Sequence, residues 1–406
     1  MKKNKNMHKK TRVHYAWAVY GKDEIRAVEN HLRSGNPLAG GEATRKFEDA
    51  IAALFGKAYG VMVNSGSSAN LVAVELMALP PSSEVITPIL TFGTTLAPLI
   101  QKGLKPVFAD VEEGTYLVNI DHAERLITKK TRALMIPSLM GNIPDMERLR
   151  RIAKKHNLIF VEDSCDTVGA TFKGKPTGAY SDISTTSFYA SHIITSGGCG
   201  GMVMINRPEW RDRARMLRGW GRTSSVFSES EDIDKRFRAR IDGMVYDAKF
   251  IFKEVGYNFI PPEVSAVFGL QQLKKLKRFS RTRKSNFKAL FDFFLQYQNF
   301  FILPRQDSRV ETNWLAFPLT IRKFSPFKRI ELVKYLEENG IQTRPVFTGD
   351  ALKQPAFLGL RRHPAASYPI TDAVMENAFV IGAHHGMDQA QIDYVEEIFK
   401  KFLRRY

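Results

Sequence analysis

Cysteine is scarce in this chain, whose 406 residues include only Cys165 and Cys199. Two thiols are too few for a disulfide framework or a structural zinc site. Long apolar runs are also missing, because the most apolar stretch, VITPILTFGTTLAPLI (85–100), is interrupted by threonine, glycine and proline. A membrane-spanning helix needs about 20 apolar residues, and the basic N-terminus lacks the apolar segment of a secretory signal. We therefore expect a cytoplasmic protein with no membrane span and no metal site.

Acidic residues are outnumbered, since 42 Asp and Glu stand against 60 Lys and Arg and give a formal net charge of +18. Such an excess is compatible with nucleic acid, an anionic membrane surface or anionic metabolites as partners. Much of it lies in three runs, at 1–12, at 274–284 and at the C-terminus. Aromatic residues are not interleaved with these runs, as a groove that tracks a nucleic-acid strand requires. We interpret the runs as solvated helix faces and a tail, and expect no nucleic-acid partner.

Apolar runs of strand length alternate with helical segments over the first two thirds of the chain. One helical segment is 145–157, where Met146, Leu149 and Ile152 recur at helical spacing. Alternation of this kind predicts an α/β fold whose mainly parallel sheet is covered by helices on both faces. Ligands in such folds bind at the carboxyl ends of the strands. The predicted strands are 60–65, 84–89, 105–111, 132–140, 157–164, 184–190 and 200–206.

The pattern changes near residue 265. A long basic helix over 261–297 leads into a smaller region, with predicted strands at 314–321 and 341–347 and predicted helices at 327–340 and 388–406. This region has the mixture expected of a second, α+β domain. The predicted organisation is a basic N-terminal tail (1–20), a large domain (21–265) and a small C-terminal domain with its linking helix (266–406).

The segment NSGSSAN (64–70) joins a predicted strand to a predicted helix. Gly66 allows a tight turn, and the hydroxyl groups of Ser67 and Ser68 add to the free N–H groups at the helix N-terminus. This combination suits an anion such as a phosphate group. An ordinary serine-capped helix has the same local pattern, so both interpretations stay open on this motif alone.

The segment VEDSCD (161–166) follows another predicted strand and places Asp163 at its end. A carboxylate in this position can hold a proton on a heteroaromatic nitrogen, which makes the ring an electron sink. A solvated transition from strand to loop is the alternative interpretation.

The segment SFYASH (187–192) supplies Ser187 and His192 just after a third strand. A lone histidine is more often structural than catalytic, and the following GGCGG (197–201) indicates close approach of the backbone to another group. The order of the three segments is more informative than any one of them. A phosphate loop, an aspartate about a hundred residues later, and a serine with a base about thirty residues after that are typical of fold-type I pyridoxal phosphate enzymes.

Together these segments resemble the DegT/DnrJ/EryC1/StrS family of nucleotide-sugar aminotransferases and dehydratases. The similarity extends from about residue 15 to the C-terminus, and further matching stretches include TPILTFGTT, GLKPVFADVEEGTY, MGNIPDMERL, GYNFIPPEVSAVFGLQQL and RPVFTGDALKQPAF. The resemblance implies the fold-type I PLP-dependent transferase fold and an obligate homodimer with shared active sites. The cofactor-binding residues that it implies are Gly66, Ser67 and Ser187 at the phosphate, Asp163 at the pyridine nitrogen, Phe92 on the ring, and Asn258 at the phosphate from the neighbouring subunit.

His192 stands where the family's aminotransferases have the lysine that binds the cofactor covalently. An imidazole forms no stable imine, so the cofactor, pyridoxamine 5'-phosphate or its pyridoxal 5'-phosphate form, is expected not to be covalently bound. The ordinary imidazole pKa of about 6.5 suits a general base near neutrality. The resemblance to the family's Lys-to-His 3-dehydratases implies that His192 is this base. The implied reaction is C3 dehydration of a nucleotide-linked 4-keto-6-deoxy sugar in deoxysugar and lipopolysaccharide biosynthesis, with L-glutamate regenerating the amine.

These dehydratases form two branches in the family. One holds an iron–sulfur cluster on four cysteines and acts on a CDP-sugar, whereas the other is cluster-free and acts on a GDP-sugar. The stretch RGWGRTSSVF (218–227) lies where the first branch has its clustered cysteines and contains none. Cys165 and Cys199 cannot supply four thiolates. A GDP-linked substrate is therefore favoured, and a CDP-linked one stays possible.

Two more segments bear on the substrate. The CD of EDSCD and the stretch RPVFTGDALKQPAF resemble the dehydratases, and the latter implies Arg344, Phe347 and Asp350 as sugar or co-substrate contacts. The turn GGCGG (197–201) departs from the glutamate-bearing turn that is usual in the family. This departure leaves room for a different sugar or a modified reaction.

Two other functions stay open on the sequence. A conventional aminotransferase would have to use another lysine, and Lys173, Lys175 and Lys249 are available, although none matches the expected position. A non-catalytic scaffold would need only the fold, whereas the phosphate loop, Asp163 and His192 indicate a working site.

Overall fold

The structure is a computed structural model that describes residues 12–227, 232–360 and 367–406. The α-helices of the described part are α1 (Lys22–Arg33), α2 (Glu42–Leu54), α3 (Gly66–Met77), α4 (Gly93–Gln101), α5 (Ile120–Arg125), α6 (Met146–Lys155), α7 (Pro208–Arg218), α8 (Ile233–Arg236), α9 (Glu263–Phe294), α10 (Arg329–Glu338), α11 (Pro369–Asn377) and α12 (Gln389–Leu403). Its strands are β1 (Tyr59–Val63), β2 (Glu84–Pro88), β3 (Lys105–Ala109), β4 (Thr131–Pro137), β5 (Ile159–Asp163), β6 (Thr171–Phe172), β7 (Lys175–Pro176), β8 (Ile183–Ser187), β9 (Gly201–Ile205), β10 (Arg240–Ile241), β11 (Met244–Val245), β12 (Phe301–Ile302), β13 (Val310–Glu311), β14 (Phe317–Ile321) and β15 (Ala378–Ile381). None of these helices has the length and apolarity needed to span a bilayer.

A seven-stranded sheet with the order β1-β9-β8-β5-β4-β2-β3 forms the centre of the first two thirds of the chain. The pairs from β8 to β3 are parallel, whereas β9 is antiparallel to both β1 and β8. Both faces of the sheet are covered, as β1 illustrates: Val61 and Val63 pack in the cluster that includes α3, and Met62 between them packs in the cluster that includes α2. The predicted α/β fold with a mainly parallel sheet is confirmed.

The C-terminal region has its own antiparallel sheet, in the order β12-β14-β15. One aromatic-rich core joins this sheet to α10, α12 and the last turns of α9. Val13, which belongs to the segment predicted as a tail, is buried in this core and pairs with Ile341. Residues 1–11 of that segment lie outside the described residues. A second point of contact between the two regions is the small sheet in which β13 pairs with β6.

The strand predicted over 341–347 is wrong. This segment makes only isolated bridges, from Ile341 to Val13 and from Arg344 to Val380. Pro345 has no N–H group to donate to a neighbouring strand, and Phe347 has a φ of 45°, outside the strand region. The segment instead carries Phe347 toward the large domain, where the candidate site lies.

Arg283 on the long helix α9 has a fully buried side chain, which joins this helix to two other segments of the C-terminal region. Its Nη1 donates to the carbonyl groups of Trp314 and Leu315, each at 3.1 Å, and its Nε donates to Nδ1 of His385 at 3.1 Å. This accepting role requires His385 to be neutral. His384 next to it accepts from the Gly386 N–H at Nδ1 and faces the His14 carbonyl with Nε2, which also fits a neutral ring.

Acidification should destabilise the protein through the histidines around Arg283. The pKa of His192 and of His384 is lowered to about 4 and that of His385 to about 2, in each case mainly by burial and further by the Arg283 charge. In the unfolded chain these pKa values return to about 6.5, so the unfolded state takes up protons first as the pH falls. Stability is therefore complete above about pH 6.5 and decreases toward pH 4, by at most about 1.4 kcal/mol per pH unit for each histidine.

The measurement is the melting temperature as a function of pH by circular dichroism. We expect a lower melting temperature at about pH 5 than at about pH 7.5, and a shallower dependence in His192→Asn, which removes one of the three titrations. A melting temperature that stays constant over this range would contradict the assignment of these three histidines as neutral in the folded protein.

Candidate active site

A cavity of about 270 Å³ lies at the carboxyl ends of the parallel strands β4, β5 and β8. This is the edge of the sheet where the predicted polar segments were expected to meet. Seven of the ten predicted site residues line the cavity: Gly66, Ser67, Phe92, Asp163, Ser187, His192 and Phe347.

The first turn of α3 forms one wall of the cavity. Ser65 caps this helix, because its Oγ accepts from the Ser68 N–H at 3.1 Å and its carbonyl accepts from the Ala69 N–H at 3.0 Å. Gly66 and Ser67 carry the remaining N–H groups of the turn, which have no acceptor within a helix. Both residues line the cavity. The two donors and the positive end of the helix dipole form a cradle for an anionic group.

Replacing Gly66 with alanine should weaken binding of the phosphate-bearing cofactor by roughly tenfold or more, the effect of about 1–3 kcal/mol of overpacking. A Cβ at this position would lie 2.6 Å from Cβ of Ser187 and 2.9 Å from Sγ of Cys165. The check is a fluorescence titration of the purified variant with pyridoxamine phosphate. Ser67→Ala is the matched comparison, because it keeps the backbone donor and should lose less affinity. If Gly66→Ala binds pyridoxamine phosphate with wild-type affinity, the first turn of α3 does not bind the cofactor phosphate.

Asp163 occupies the end of β5 and is 5% exposed. Its Oδ2 accepts from Asn70 Nδ2 and from Thr95 Oγ1, both at 2.8 Å, and its Oδ1 accepts from the Cys165 N–H at 3.2 Å. Thr185 on β8 donates to Asn70 Oδ1 at 2.6 Å and so orients the amide. These three donors fix the orientation of the carboxylate, which lines the cavity and can face a protonated ring nitrogen there.

The partners of Asp163 were missed in the sequence. Asn70, Thr95 and Thr185 lie on α3, α4 and β8, far apart along the chain, and no local motif links them. The one available signal is Asn70 itself, an amide that is 1% exposed on a helix whose other buried positions are largely apolar.

Two phenylalanines give the cavity an aromatic surface. Phe92 is the N-cap residue of α4 and is 53% exposed. Its ring meets that of Phe347 edge to face, with centroids 5.8 Å apart. Both rings line the cavity, so a flat heteroaromatic group bound there has an apolar surface to contact.

His192 lies in the turn that follows β8, and its ring is edge-on to that of Tyr189 with centroids 6.1 Å apart. Its Nδ1 is 3.4 Å from the Ser187 carbonyl oxygen. We assign the proton to Nδ1, which leaves Nε2 as the acceptor. The ordinary pKa expected for this imidazole is wrong in this structure, because burial lowers the pKa of His192 to about 4. The ring is therefore neutral at pH 7 and can accept a proton.

Both cysteines line the same cavity. Cys165 is partly buried beside Asp163, and burial together with that carboxylate raises the pKa of its thiol, whereas Cys199 is exposed. In residues 12–227, 232–360 and 367–406, no three or more His, Cys, Asp or Glu side chains are grouped as a metal ion would need.

Three predicted site residues do not line this cavity. Asn258 lies on the segment that bridges to Gly219, and its contact was predicted for the neighbouring subunit. Arg344 is exposed, with its guanidinium 5.7 Å from the ring of Tyr15. Asp350 is fully buried and accepts from the Leu352 N–H at 2.9 Å, which makes it the cap of a short turn. The structure thus places Asp350 in the fold and away from the cavity surface.

The cavity fits the cofactor that the sequence implies. The α3 cradle suits its phosphate, Asp163 suits its ring nitrogen, and the phenylalanines suit its ring. His192 supplies a base at the remaining position. The fold brings these residues from separate motifs of the sequence to one cavity.

Comparison with known proteins gives matches over nearly the whole chain. Residues 19–400 match the model of the DegT/DnrJ/EryC1/StrS aminotransferase family. The chain is 36% identical over 402 residues to dTDP-4-dehydro-2,6-dideoxy-D-glucose 3-dehydratase of Saccharopolyspora spinosa, covering 96% of this chain and 86% of that protein. It is 32% identical over 399 residues to GDP-4-keto-6-deoxy-D-mannose 3-dehydratase of Yersinia pseudotuberculosis, covering 95% of this chain and 96% of that protein.

A solved structure extends the comparison to three dimensions. The GDP-4-keto-6-deoxy-D-mannose-3-dehydratase of E coli with bound hydrated PLP superposes with a TM-score of 0.86 at 28% sequence identity, covering 96% of this chain and 100% of that chain. The fold-type I architecture predicted from the sequence is confirmed.

Proposed function

This chain belongs to the DegT/DnrJ/EryC1/StrS aminotransferase family, and from that premise we propose that it is a pyridoxamine phosphate-dependent nucleotide-sugar 3-dehydratase. The substrate is a 4-keto-6-deoxy sugar linked to a nucleoside diphosphate, which loses its C3 hydroxyl group. L-Glutamate then returns the cofactor to its amine form. The enzyme works as a cytoplasmic homodimer in deoxysugar biosynthesis, with Asn258 reaching the cofactor phosphate of the neighbouring subunit.

The observation that carries the proposal is the identity of residue 192. A lysine is needed to hold the cofactor covalently, and no lysine lines the cavity within the described residues. The alternative lysines are elsewhere: Lys173 pairs with Glu147 on the surface, Lys175 is exposed on β7, and Lys249 belongs to a separate pocket near Trp220. A neutral imidazole in place of the lysine keeps a base and gives up the covalent link, which favours elimination over amino transfer.

When bound, the cofactor supplies an amine and a protonated ring that withdraws electrons. Gly66, Ser67 and Ser187 would hold its phosphate, and Asp163, oriented by its three donors, would face the protonated ring nitrogen. His192 accepts a proton at Nε2, because its Nδ1 faces the Ser187 carbonyl. Its lowered pKa keeps Nε2 free of a proton at neutral pH.

The nucleotide is proposed from two arguments. A four-thiolate cluster is out of reach of a chain with two cysteines, which favours the cluster-free chemistry of the GDP-sugar branch over that of the CDP-sugar branch. The relatives point to GDP and dTDP, since these nucleotides appear in the names of the proteins at 32% and 36% identity. Phe347, which lines the cavity, and the exposed Arg344 three residues before it are the proposed sugar or glutamate contacts.

Two experiments test the proposal. In the first, the cofactor-loaded enzyme is reduced with borohydride and its intact mass is measured, and we expect the mass of the polypeptide to be unchanged. An increase by the mass of the reduced cofactor would show that a lysine binds the cofactor covalently, as in an aminotransferase. Product analysis with GDP-, dTDP-, CDP- and UDP-linked 4-keto-6-deoxy sugars should give a 3-deoxy sugar from one of them. If the protein binds the cofactor but turns over none of the four nucleotide-linked sugars, a non-catalytic scaffold is favoured.

A further inference from the structure

The cavity contains a second carboxyl group, Asp166, that the proposed reaction has not used. Asp166 lines the cavity and is 9% exposed. Its Oδ2 accepts a hydrogen bond from the Met140 N–H at 2.9 Å. Leu139, next to Met140 in this loop, also lines the cavity.

The two carboxyl groups have unequal surroundings. Asp163 receives three hydrogen bonds, from Asn70, Thr95 and the Cys165 N–H, whereas Asp166 receives the one from Met140. Two neighbouring carboxylates in a buried site disfavour each other's charge, and Asp166 has fewer donors to stabilise its own charge.

The ionisable groups that face Asp166 strengthen this asymmetry. They are Asp163 at the end of β5, the Cys165 thiol and the Tyr15 phenol. None of them is a cation, and Arg283 and Arg344 act on Tyr15. Burial, followed by the Asp163 charge, raises the pKa of Asp166 to about 7. The protonated carboxyl group is therefore well populated at neutral pH.

The proposed dehydration needs such a group. Hydroxide is a poor leaving group, so loss of the C3 oxygen requires a proton donor as well as the base that starts the reaction. The neutral His192 begins the reaction without a proton at Nε2, whereas Asp166 carries one from the start. Resting on the proposed function, we propose that Asp166 is the general acid of the cavity and protonates the departing C3 oxygen of the sugar.

The proposed step balances. The C3–O bond breaks with its electron pair on oxygen, the Asp166 O–H bond breaks, and the new O–H bond completes a water molecule. Asp166 is left as a carboxylate, and His192 holds the proton that it has accepted. Transfer of that proton to Asp166 restores both side chains, so that the net loss is one water.

The test compares two leaving groups on the same wild-type enzyme. Fluoride departs without a proton, whereas the hydroxyl group needs one. With the natural 3-hydroxy sugar, kcat should fall above about pH 7, where Asp166 loses its proton. With the 3-deoxy-3-fluoro analogue, fluoride release should show no such fall, after subtraction of the rate without enzyme. A fall of equal size with both sugars would overturn the role of Asp166.

The variant Asp166→Asn is the second arm, because an amide of the same shape can still accept the Met140 N–H but has no acid proton. Loss of water should slow by about 100-fold or more, while fluoride release changes little; His192→Asn should lose both. Equal slowing of the two reactions in Asp166→Asn would indicate a structural role and overturn the proposal. In the cofactor-free protein, infrared spectroscopy should detect a protonated carboxyl group that disappears above about pH 7 and is missing from Asp166→Asn.

The outcomes separate the two proposals. A wild-type enzyme that releases neither water nor fluoride from any nucleotide-linked 4-keto sugar would overturn the dehydratase function, and the acid role with it. A wild-type enzyme that releases both, with an Asp166→Asn variant that loses water at the normal rate, would overturn the acid role alone.

Discussion

Replacing His192 with asparagine should lower dehydratase turnover by about 100- to 10,000-fold, the usual contribution of a general base. Asparagine has no group that accepts a proton at neutral pH. Its amide is similar in size to the imidazole and can still donate to the Ser187 carbonyl, which His192 faces at 3.4 Å. The measurement is kcat with saturating nucleotide-sugar and glutamate, together with the absorbance of bound cofactor, which should match that of the wild type.

The matched control for this variant is His31→Asn. His31 lies on α1, where its ring contacts the exposed Pro37 carbonyl, and it is not one of the residues that line the cavity. We expect His31→Asn to turn over at the wild-type rate. Retention of activity in His192→Asn would remove His192 from the mechanism and leave the missing lysine without an explanation.

Replacing Asp163 with asparagine should reduce turnover by about 100- to 1,000-fold, the loss typical of a removed electrostatic contact in an active site, and weaken cofactor binding as well. A neutral amide cannot hold a positive charge on the ring nitrogen. Its NH2 group would also face a donor, since Asn70, Thr95 and the Cys165 N–H all donate to this side chain. The measurements are kcat and a titration with pyridoxamine phosphate.

Comparison with Thr95→Val separates loss of the Asp163 carboxylate from loss of a hydrogen bond to it. Thr95→Val removes one donor at 2.8 Å and keeps the shape and the carboxylate. It should lose less activity than Asp163→Asn. If Thr95→Val is the more damaging of the two, or if Asp163→Asn binds the cofactor normally, the assignment of Asp163 to the ring nitrogen is wrong.

The sequence predicted those parts of the site that are local. The resemblance to the family assigned roles to Gly66, Asp163 and Ser187, whereas local sequence patterns placed them, in a glycine–serine turn before a helix and at or just after predicted strands. The parallel sheet was predictable for the same reason. His192 was recognisable because it replaces the lysine of the family's aminotransferases in a pattern that otherwise matches.

The remaining features depend on contacts between distant segments. The hydrogen bonds of Asn70, Thr95 and Thr185 to and around Asp163 join four elements, α3, α4, β5 and β8. The 341–347 segment is apolar enough for a strand, but Pro345 and the positive φ of Phe347 prevent pairing. Asp350 looks like a contact residue in sequence, and its burial under a short turn becomes visible only in the fold.

The same limit applies to electrostatics. An ordinary histidine pKa of about 6.5 was the natural expectation for residue 192, and burial changes it to about 4. Asp163 and Asp166 are three residues apart in one motif, yet Asp163 accepts from three donors and Asp166 from one, and burial beside Asp163 raises the pKa of Asp166 to about 7. Such differences arise from the number of donors and the extent of burial, which no sequence pattern records.

The most direct test of the central claim, that this site eliminates water instead of transferring an amine to the sugar, is to follow the nitrogen. The enzyme is incubated with cofactor, 15N-labelled glutamate and the nucleotide-linked 4-keto-6-deoxy sugar that it turns over. Elimination predicts a 3-deoxy-4-keto sugar without 15N, together with labelled ammonia and 2-oxoglutarate. A 4-amino sugar that carries 15N and retains its C3 hydroxyl group would contradict the account.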